Sequence, residues 1–179
     1  MTPRYLVVAA TTAEAAHVPA DLSLVITGMG KTAAAVATAR ALAEYDDLAG
    51  LTVLNIGSAG SLRPGLAGVF EPGVVLNHDL SADVVRGLGY DPQERLDVGD
   101  SDVVLASGDV FVSDPMVRDR LAERAHLVDM EGYAAREAGV AVRLVKHVSD
   151  GADECAMDWP TLAEVSAVQL GRWLRENVS

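Results

Sequence analysis

Residues 22–56 read LSLVITGMGKTAAAVATARALAEYDDLAGLTVLNI and combine two apolar runs with one long alanine-rich segment. The runs at 22–27 and 51–56 have the length of strands and contain β-branched residues, which favour strands. Residues 31–45 contain no glycine or proline, so they are predicted to form a helix. Glycines separate the first strand from this helix. The stretch therefore predicts a strand–helix–strand unit of an α/β sheet.

The same alternation continues along the rest of the chain. Further strands are predicted at 5–10, 74–76, 103–106 and 140–148, and further helices at 115–124, 131–138 and 159–177. Residues 57–61 are predicted to form a turn, and residues 65–72 and 81–102 are predicted to form loops, because glycine and proline interrupt them. Continuously apolar strands between helices predict a sheet covered by helices on both faces. Without an internal repeat or a linker, residues 1–179 are predicted to form a single domain.

The composition excludes several classes of protein. Half of the 179 residues are hydrophobic, which allows a sizeable core. The net charge of −12 argues against a nucleic-acid binder, which needs a basic surface, and against binding to an anionic membrane. No apolar run approaches the roughly 18–20 residues that span a bilayer, and the apolar run at the start is too short for a usual signal peptide. Cys155 is the only cysteine, so an intramolecular disulfide is excluded and a reducing, cytoplasmic location is expected.

Two glycine-rich motifs resemble known phosphate-binding and nucleophile motifs without completing them. Residues 28–32, GMGKT, have Val25 where a P-loop needs its first glycine. They also fit the dinucleotide pattern G-x-G-x-x-A, but the following strand reaches Asn55 without the acid that would hold a ribose. In residues 56–60, IGSAG, isoleucine replaces the first glycine of a nucleophile elbow. Each motif is therefore either a plain tight turn or a backbone contact to a small polar ligand.

Three acidic residues stand at the ends of predicted strands. Glu14 comes just after the first strand, Glu131 lies at a strand-to-helix junction, and Asp150 ends the strand that begins at residue 140. Because ligands of parallel α/β sheets bind beyond the carboxyl ends of the strands, we expect these acids to share one rim with the glycine turns. Each acid alone is more often a helix cap or a solvated charge. The four histidines show no paired spacing, so no metal site is predicted.

Short motifs occur in one order through most of the chain: Glu14, then TGMGKTAAA (27–35), NIGSAGSL (55–62), NHD (77–79), ASGDVFV (106–112), VDMEG (128–132) and VSDGAD (148–153). Together they resemble the nucleoside phosphorylase/nucleosidase superfamily, and most closely its 5′-methylthioadenosine/S-adenosylhomocysteine nucleosidases. The resemblance implies a three-layer fold, here shortened, with a mixed sheet between helices. It also implies cleavage of the glycosidic bond between ribose and a purine base, without a cofactor or a metal.

The resemblance implies a catalytic role for each of the three acids. Asp150 matches the acid that protonates N7 of the leaving base or holds it protonated, and Ser149 matches the residue that orients this carboxyl group. Glu14 matches the residue that hydrogen-bonds the attacking water. Glu131 matches the carboxylate that binds the ribose hydroxyls, and its charge favours an oxocarbenium-like sugar.

The resemblance also implies contacts to the nucleoside. Met130 matches the apolar residue against the ribose face, Phe111 matches the aromatic that stacks on the base, and the backbone of Val112 is expected to contact the base edge. Three residues match the turn beneath the nucleoside, namely Ser58, Ala59 and Gly60.

Two further segments bear on the partner and on the charges of the site. His78 and Asp79 match the segment that reaches a neighbouring subunit's pocket in this family, so a homodimer is implied. Asp129 stands where the family usually has an acid one methylene longer, and Lys146 stands where it usually has arginine.

The residues around the implied sugar site favour hydrolysis over phosphorolysis. Residues 10–14, ATTAE, and the Asn55-Ile56 pair contain no cation, whereas the phosphorylases carry arginines there to bind phosphate. The expected substrate is a 5′-modified adenosine such as methylthioadenosine or S-adenosylhomocysteine. Four alternatives stay open: a futalosine hydrolase, a phosphate-dependent phosphorylase, a nucleoside-binding protein without turnover, and a dinucleotide-dependent enzyme.

Overall fold

The apolar strands of the first half form one side of a mixed sheet, seen in a computed structural model that describes residues 4–135 and 140–178. Strand β1 (Arg4–Ala9) lies between β2 (Ser23–Ile26) and β3 (Leu51–Ser61), and the three strands are parallel. Strand β9 (Ala141–Asp150) pairs in parallel with the other side of β3. The carboxyl ends of β1, β3 and β9 therefore point the same way.

The remaining strands are short and extend the sheet to nine strands within the described residues. They are β4 (Val69–Phe70), β5 (Val74–Asn77), β6 (Arg95–Asp97), β7 (Val104–Ser107) and β8 (Leu127–Asp129). The order across the sheet is β2-β1-β3-β8-β7-β5-β6, and β9 pairs with both β3 and β4. Strand β8 is antiparallel to the end of β3 and parallel to β7.

Helices cover both faces of the sheet. The described residues contain α1 (Lys31–Leu42), α2 (Ala82–Gly87), α3 (Pro115–Ala122) and α4 (Trp159–Asn177), with 3-10 helices at Gly132–Ala135 and Glu154–Asp158. Neighbouring side chains of β1 face opposite ways, as in any strand. Val7 packs with Leu170 of α4, whereas Leu6 packs with Leu42 of α1. None of these helices is long and apolar enough to cross a membrane.

The strand–helix–strand unit predicted from residues 22–56 is present as β2, α1 and β3, and the mixed sheet between helices is confirmed. One part of the expectation was wrong, because the side chains of β2 are not buried on both faces. Leu24 and Ile26 are each 40% exposed. The strand lies at the edge of the sheet, where solvent reaches these two side chains.

Three predictions of loop or turn were also wrong. The turn predicted at 57–61 is the end of β3, because β9 and β8 continue to pair with it. The loop predicted at 65–72 contains β4, and the one predicted at 81–102 contains α2 and β6. These elements are short and form through pairing with distant strands, which local sequence does not show. Of the helix predicted at 131–138, residues 136–138 lie outside the described residues, and Gly132–Ala135 form a 3-10 helix.

Candidate active site

One cleft lies beside the carboxyl ends of the parallel strands β1, β3 and β9. Glu14 follows β1, Asp150 ends β9, and Glu131 follows β8, so three segments distant in sequence meet there, although β8 runs antiparallel to the end of β3 and not parallel to it as the expected rim required. Eleven of the twelve predicted site residues line the cleft: Glu14, Ser58, Ala59, Gly60, Phe111, Val112, Asp129, Met130, Glu131, Ser149 and Asp150. The twelfth, His78, does not.

Glu14 is buried and is held by three hydrogen bonds from neighbouring residues. Its Oε1 accepts from both the backbone N–H and the Oγ of Ser58, each at 2.8 Å, and its Oε2 accepts from Thr11 Oγ1 at 3.1 Å. Gly57 allows this approach, since a Cβ there would lie 3.2 Å from Glu14 Oε1 and 3.3 Å from Lys146 Nζ. The carboxylate is therefore in place before a ligand arrives, as positioning of a reactant requires.

A β-bulge sets the position of Asp150. The register of β9 against β3 shifts after Ala59, so that Asp150 rather than Ser149 pairs with Gly60. The Oγ of Ser149 donates to Asp150 Oδ2 at 2.6 Å, and the backbone N–H of Ala152 donates to Oδ1 at 2.9 Å. A Cβ on Gly60 would lie 3.1 Å from Oδ1, so the glycine leaves room for the carboxyl group.

A buried ion pair lies beside these acids. Lys146 Nζ is 2.7 Å from Asp129 Oδ2, and both side chains are 1% exposed. Burial alone lowers the pKa of Lys146, but the carboxylates of Asp129 and Glu131 outweigh it and raise the pKa above its ordinary value. The lysine is therefore charged, and its charge is engaged by acids of the same chain.

Glu131 is tied to the start of α1. Its Oε1 accepts the backbone N–H of Gly30 at 2.8 Å. Burial, and next the charge of Asp129, raise the pKa of Glu131 to about 7, although Lys146 and the Gly30 hydrogen bond act in the other direction. Glu131 therefore changes charge near neutral pH. The glycine turn before α1 binds a carboxylate of the chain itself.

A polar cluster joins the start of α1 to the segments after β5 and β7. Lys31 Nζ donates to Asn77 Oδ1 at 2.7 Å and also to Asp79. The backbone N–H of Lys31 donates to Asp109 Oδ1 at 2.7 Å, and the backbone N–H of Asp109 donates to Asp79 Oδ2 at 2.7 Å. These bonds hold the segment that carries Phe111 at the mouth of the cleft.

His78 lies beside this cluster and outside the cleft. Its backbone N–H donates to Ser107 O at 3.1 Å, and its imidazole packs so closely on Gly108 that a Cβ there would clash with Nε2. The Nε2 atom is buried and finds no hydrogen-bond partner within residues 4–135 and 140–178. Burial lowers the pKa of His78, although Asp79 opposes this effect. Contact of His78 with a substrate stays a prediction.

Sequence reasoning missed six residues that line the cleft: Ala10, Met29, Val110, Val128, Ala156 and Trp159. Trp159 differs from the other five in having a polar side-chain atom, Nε1, which donates to Ser58 Oγ at 2.7 Å. It is one of two tryptophans in the chain and follows closely on Asp150. A rare aromatic residue so near a candidate catalytic acid was the sequence feature that could have predicted its place in the cleft. Within residues 4–135 and 140–178, no cluster of His, Cys, Asp or Glu is arranged to hold a metal ion.

No protein-family model matches this sequence, and no curated protein matches it. Solved structures do match. One is a mutant of the Helicobacter pylori methylthioadenosine/S-adenosylhomocysteine nucleosidase (MTAN), with 5′-methylthioadenosine in its active site. Its TM-score is 0.82 at 20% identity, and the match covers 98% of both chains. The chain has the nucleosidase fold.

Two other structures with the nucleosidase fold match similarly. Native futalosine hydrolase of Helicobacter pylori has a TM-score of 0.80 at 21% identity, covering 98% of this chain and 97% of that chain. The methylthioadenosine/S-adenosylhomocysteine nucleosidase of Neisseria meningitidis, in complex with methylthio-immucillin-A, has a TM-score of 0.79 at 23% identity, covering 96% of both. The three-layer fold implied by the sequence motifs is thereby confirmed.

Proposed function

We propose that the chain is a purine nucleoside N-ribosyl hydrolase that cleaves the glycosidic bond of a 5′-modified adenosine, such as methylthioadenosine or S-adenosylhomocysteine. The observation that carries this proposal is the meeting of Glu14, Glu131 and Asp150 in one cleft, each held by its own hydrogen bonds. The likeness to a nucleosidase structure with methylthioadenosine in its active site supports the choice of substrate class.

The proposed reaction divides the charge that develops in the transition state between these acids. Asp150 protonates N7 of the base, or shares a proton with it, so that the base leaves without a full negative charge. Glu131 binds the ribose hydroxyls, and its negative charge stabilises the cationic sugar. Glu14 accepts a hydrogen bond from the attacking water and directs the water at the anomeric carbon.

The other cleft residues supply the proposed contacts to the nucleoside. Met130 packs against the ribose, and the backbone of Val112 contacts the base edge. Phe111 is 45% exposed at the mouth of the cleft, so a base stacked on its ring would bury apolar surface. Beneath the nucleoside lies the end of β3, with Ser58, Ala59 and Gly60.

The charges of the cleft favour water over phosphate as the nucleophile. Four acids line it, whereas none of the described lining residues is lysine, arginine or histidine. The nearby Lys146 is engaged by Asp129 at 2.7 Å. A phosphate dianion would enter a site of net negative charge at high Coulomb cost, and a neutral water molecule would not.

We also propose that the enzyme is a cytoplasmic homodimer. The α2 region exposes three large apolar side chains, Val84 at 63%, Leu88 at 70% and Tyr90 at 71%, and it directly follows the segment with His78. Such a group of apolar side chains favours a protein partner. Cys155 is an exposed free thiol, which supports a reducing compartment.

The test is release of free base in phosphate-free buffer and, in parallel, with added phosphate. The panel contains methylthioadenosine, S-adenosylhomocysteine, adenosine, inosine and futalosine. We expect adenine from the 5′-thio substrates without phosphate. Release only with phosphate would identify a phosphorylase, and preferential cleavage of futalosine would identify the sister activity. If no base is released, thermal stabilisation by adenine would indicate a nucleoside-binding protein, and stabilisation by a nicotinamide cofactor would indicate a dinucleotide-dependent enzyme.

A further inference from the structure

The indole of Trp159 takes part in a hydrogen-bond chain that ends on Glu14. Its Nε1 donates to Ser58 Oγ at 2.7 Å, and the same Oγ lies 2.8 Å from Glu14 Oε1. Trp159 lies 101 residues from Ser58 in sequence, and both line the cleft. The chain therefore connects the start of α4 to the acid that we propose to bind the attacking water.

Hydrogen-bonding chemistry fixes the direction of this chain. An indole N–H can only donate, so Ser58 Oγ must accept from Trp159. The single hydroxyl proton of Ser58 is then free to point at Glu14, whose Oε1 accepts it. Without the indole, this hydroxyl could rotate and accept from water. Trp159 thus sets the rotamer of a hydroxyl whose partner is Glu14.

The consequence falls on the oxygen of Glu14 that remains available. Oε1 accepts from the backbone N–H and from the hydroxyl of Ser58, which uses both of its lone pairs. Among the described residues, Oε2 accepts only from Thr11 Oγ1, so it keeps one acceptor position. A water that is bound by Glu14 would therefore bind at Oε2, and loss of the Ser58 hydroxyl bond would leave Oε1 to compete for it.

Helix α4 is held over the sheet by a second side-chain hydrogen bond. Ser166 Oγ, two helical turns after Trp159, lies 2.9 Å from His147 Nδ1, and both residues are buried. His147 pairs with Ser58 in the register between β9 and β3. Two points on the same helix thus bind neighbouring positions of the sheet, which fixes the indole relative to Ser58.

We propose that Trp159 is a positioning residue, whose indole N–H directs the Ser58 hydroxyl proton to Glu14 and so reserves Glu14 Oε2 for the attacking water. This inference rests on the proposed hydrolase function. The proposed role belongs to the indole N–H. The aromatic ring of Trp159 also lines the cleft, and that packing role is a separate one.

The test compares Trp159→Phe with the wild type, because phenylalanine retains an aromatic wall and lacks the N–H donor. We expect kcat to fall about tenfold, the effect of one lost hydrogen bond, with KM changed less than about twofold. Trp173→Phe is the matched control, since Trp173 packs against Arg143 and not in the cleft, and its kcat is expected to match the wild type.

A double-variant comparison separates this role from a merely structural one. If Trp159 acts through Ser58, then Trp159→Phe adds less than about twofold to the loss of kcat caused by Ser58→Ala. The inference would be overturned if the losses of kcat in the two single variants multiply in the double variant. It would also be overturned if Trp159→Phe has the same kcat as an active wild type. A wild type that releases no base would instead overturn the proposed function.

The hydrogen bond can also be tested without turnover, by NMR of the two indole N–H groups in ¹⁵N-labelled protein. The Trp159 signal is assigned as the one retained in Trp173→Phe. We expect Ser58→Ala to move this signal upfield and to speed its exchange with water, and to leave the Trp173 signal in place. An unmoved Trp159 signal would show that the bond does not form in solution.

Discussion

Both carboxylate oxygens of Asp150 accept hydrogen bonds, and we propose that this residue acts in the reaction through its acidic proton. In Asp150→Asn the amide oxygen can still accept from the backbone N–H of Ala152, and the acidic proton is lost. We therefore expect kcat for base release to fall at least ~100-fold, the usual contribution of a general acid, with little change in melting temperature. Steady-state kinetics and a thermal melt check this.

A matched control for this variant lies three residues further on. Asp153 accepts from the backbone N–H of Cys155 at the start of a 3-10 helix, and asparagine serves equally well in that position. Asp153→Asn is expected to keep both kcat and stability. If Asp150→Asn retained more than a tenth of the wild-type rate, the acid would have to be sought elsewhere in the cleft.

Glu131 is predicted to link activity and stability to pH in opposite directions. Its pKa is about 7 in the folded protein against an ordinary 4.5, so the folded state holds this proton more tightly than the unfolded chain does. Its contribution to stability is complete below pH 4.5 and is lost as the pH rises to about 7. Binding of ribose hydroxyls needs the ionised carboxylate, so it should strengthen as the pH rises through about 7.

Glu131→Gln removes this titration and keeps an oxygen for the N–H of Gly30. We expect its free energy of unfolding to exceed that of the wild type by about 1–3 kcal/mol at pH 8, and by less at pH 5, while kcat/KM falls. Urea denaturation at both values measures the difference. The control is Glu164→Gln on the exposed face of α4, which should follow the wild type. A constant difference at the two pH values would contradict the prediction.

Among the elements, β3 makes room for two of the acids that we propose to be catalytic. Gly57 leaves space for Glu14, and Gly60 leaves space for Asp150 at the bulge of β9. In Gly60→Ala the new methyl would lie 3.0 Å from Ala152 Cβ and 3.1 Å from Asp150 Oδ1. We expect about 1–3 kcal/mol of destabilisation and a loss of kcat of roughly tenfold or more, because Asp150 must shift.

Gly99→Ala is the comparison for this change. A Cβ there meets its nearest neighbour, Gly73 Cα, at 3.6 Å, which is an ordinary contact, and Gly99 lies outside the cleft. Its kcat is expected to be that of the wild type. Equal losses of kcat in the two variants would show that the position of Gly60 beside Asp150 has no special part in the reaction.

For the whole molecule, the prediction concerns association. If the apolar side chains at α2 form a subunit interface, light scattering after size exclusion should give twice the mass of one chain. Val84→Asp with Leu88→Asp would bury charge in that interface, so the double variant should be monomeric and should retain its helical circular dichroism. A monomeric wild type would contradict the dimer, and base release at the same dilution would show whether the cleft works within one chain.

Much of this fold followed from local patterns. The unit of β2, α1 and β3, the long β9 and the bounds of α4 were readable because apolar periodicity and the absence of helix breakers act within one segment. The short strands β4 and β6 were not readable. Each forms because a distant strand, β9 or β5, supplies its hydrogen-bond partners.

The sequence by itself determined which acids stand at the ends of predicted strands, and the rule that parallel strands end at one edge of a sheet predicted a shared rim for them. Only the tertiary structure decided how those acids are held. The bulge at Ser149, the pairing of Lys146 with Asp129 and the contact of Trp159 with Ser58 all join residues far apart in the chain or depend on strand register. Such contacts are set by how helices and strands pack, and no pattern of neighbouring residues encodes the distance between two side chains from different elements.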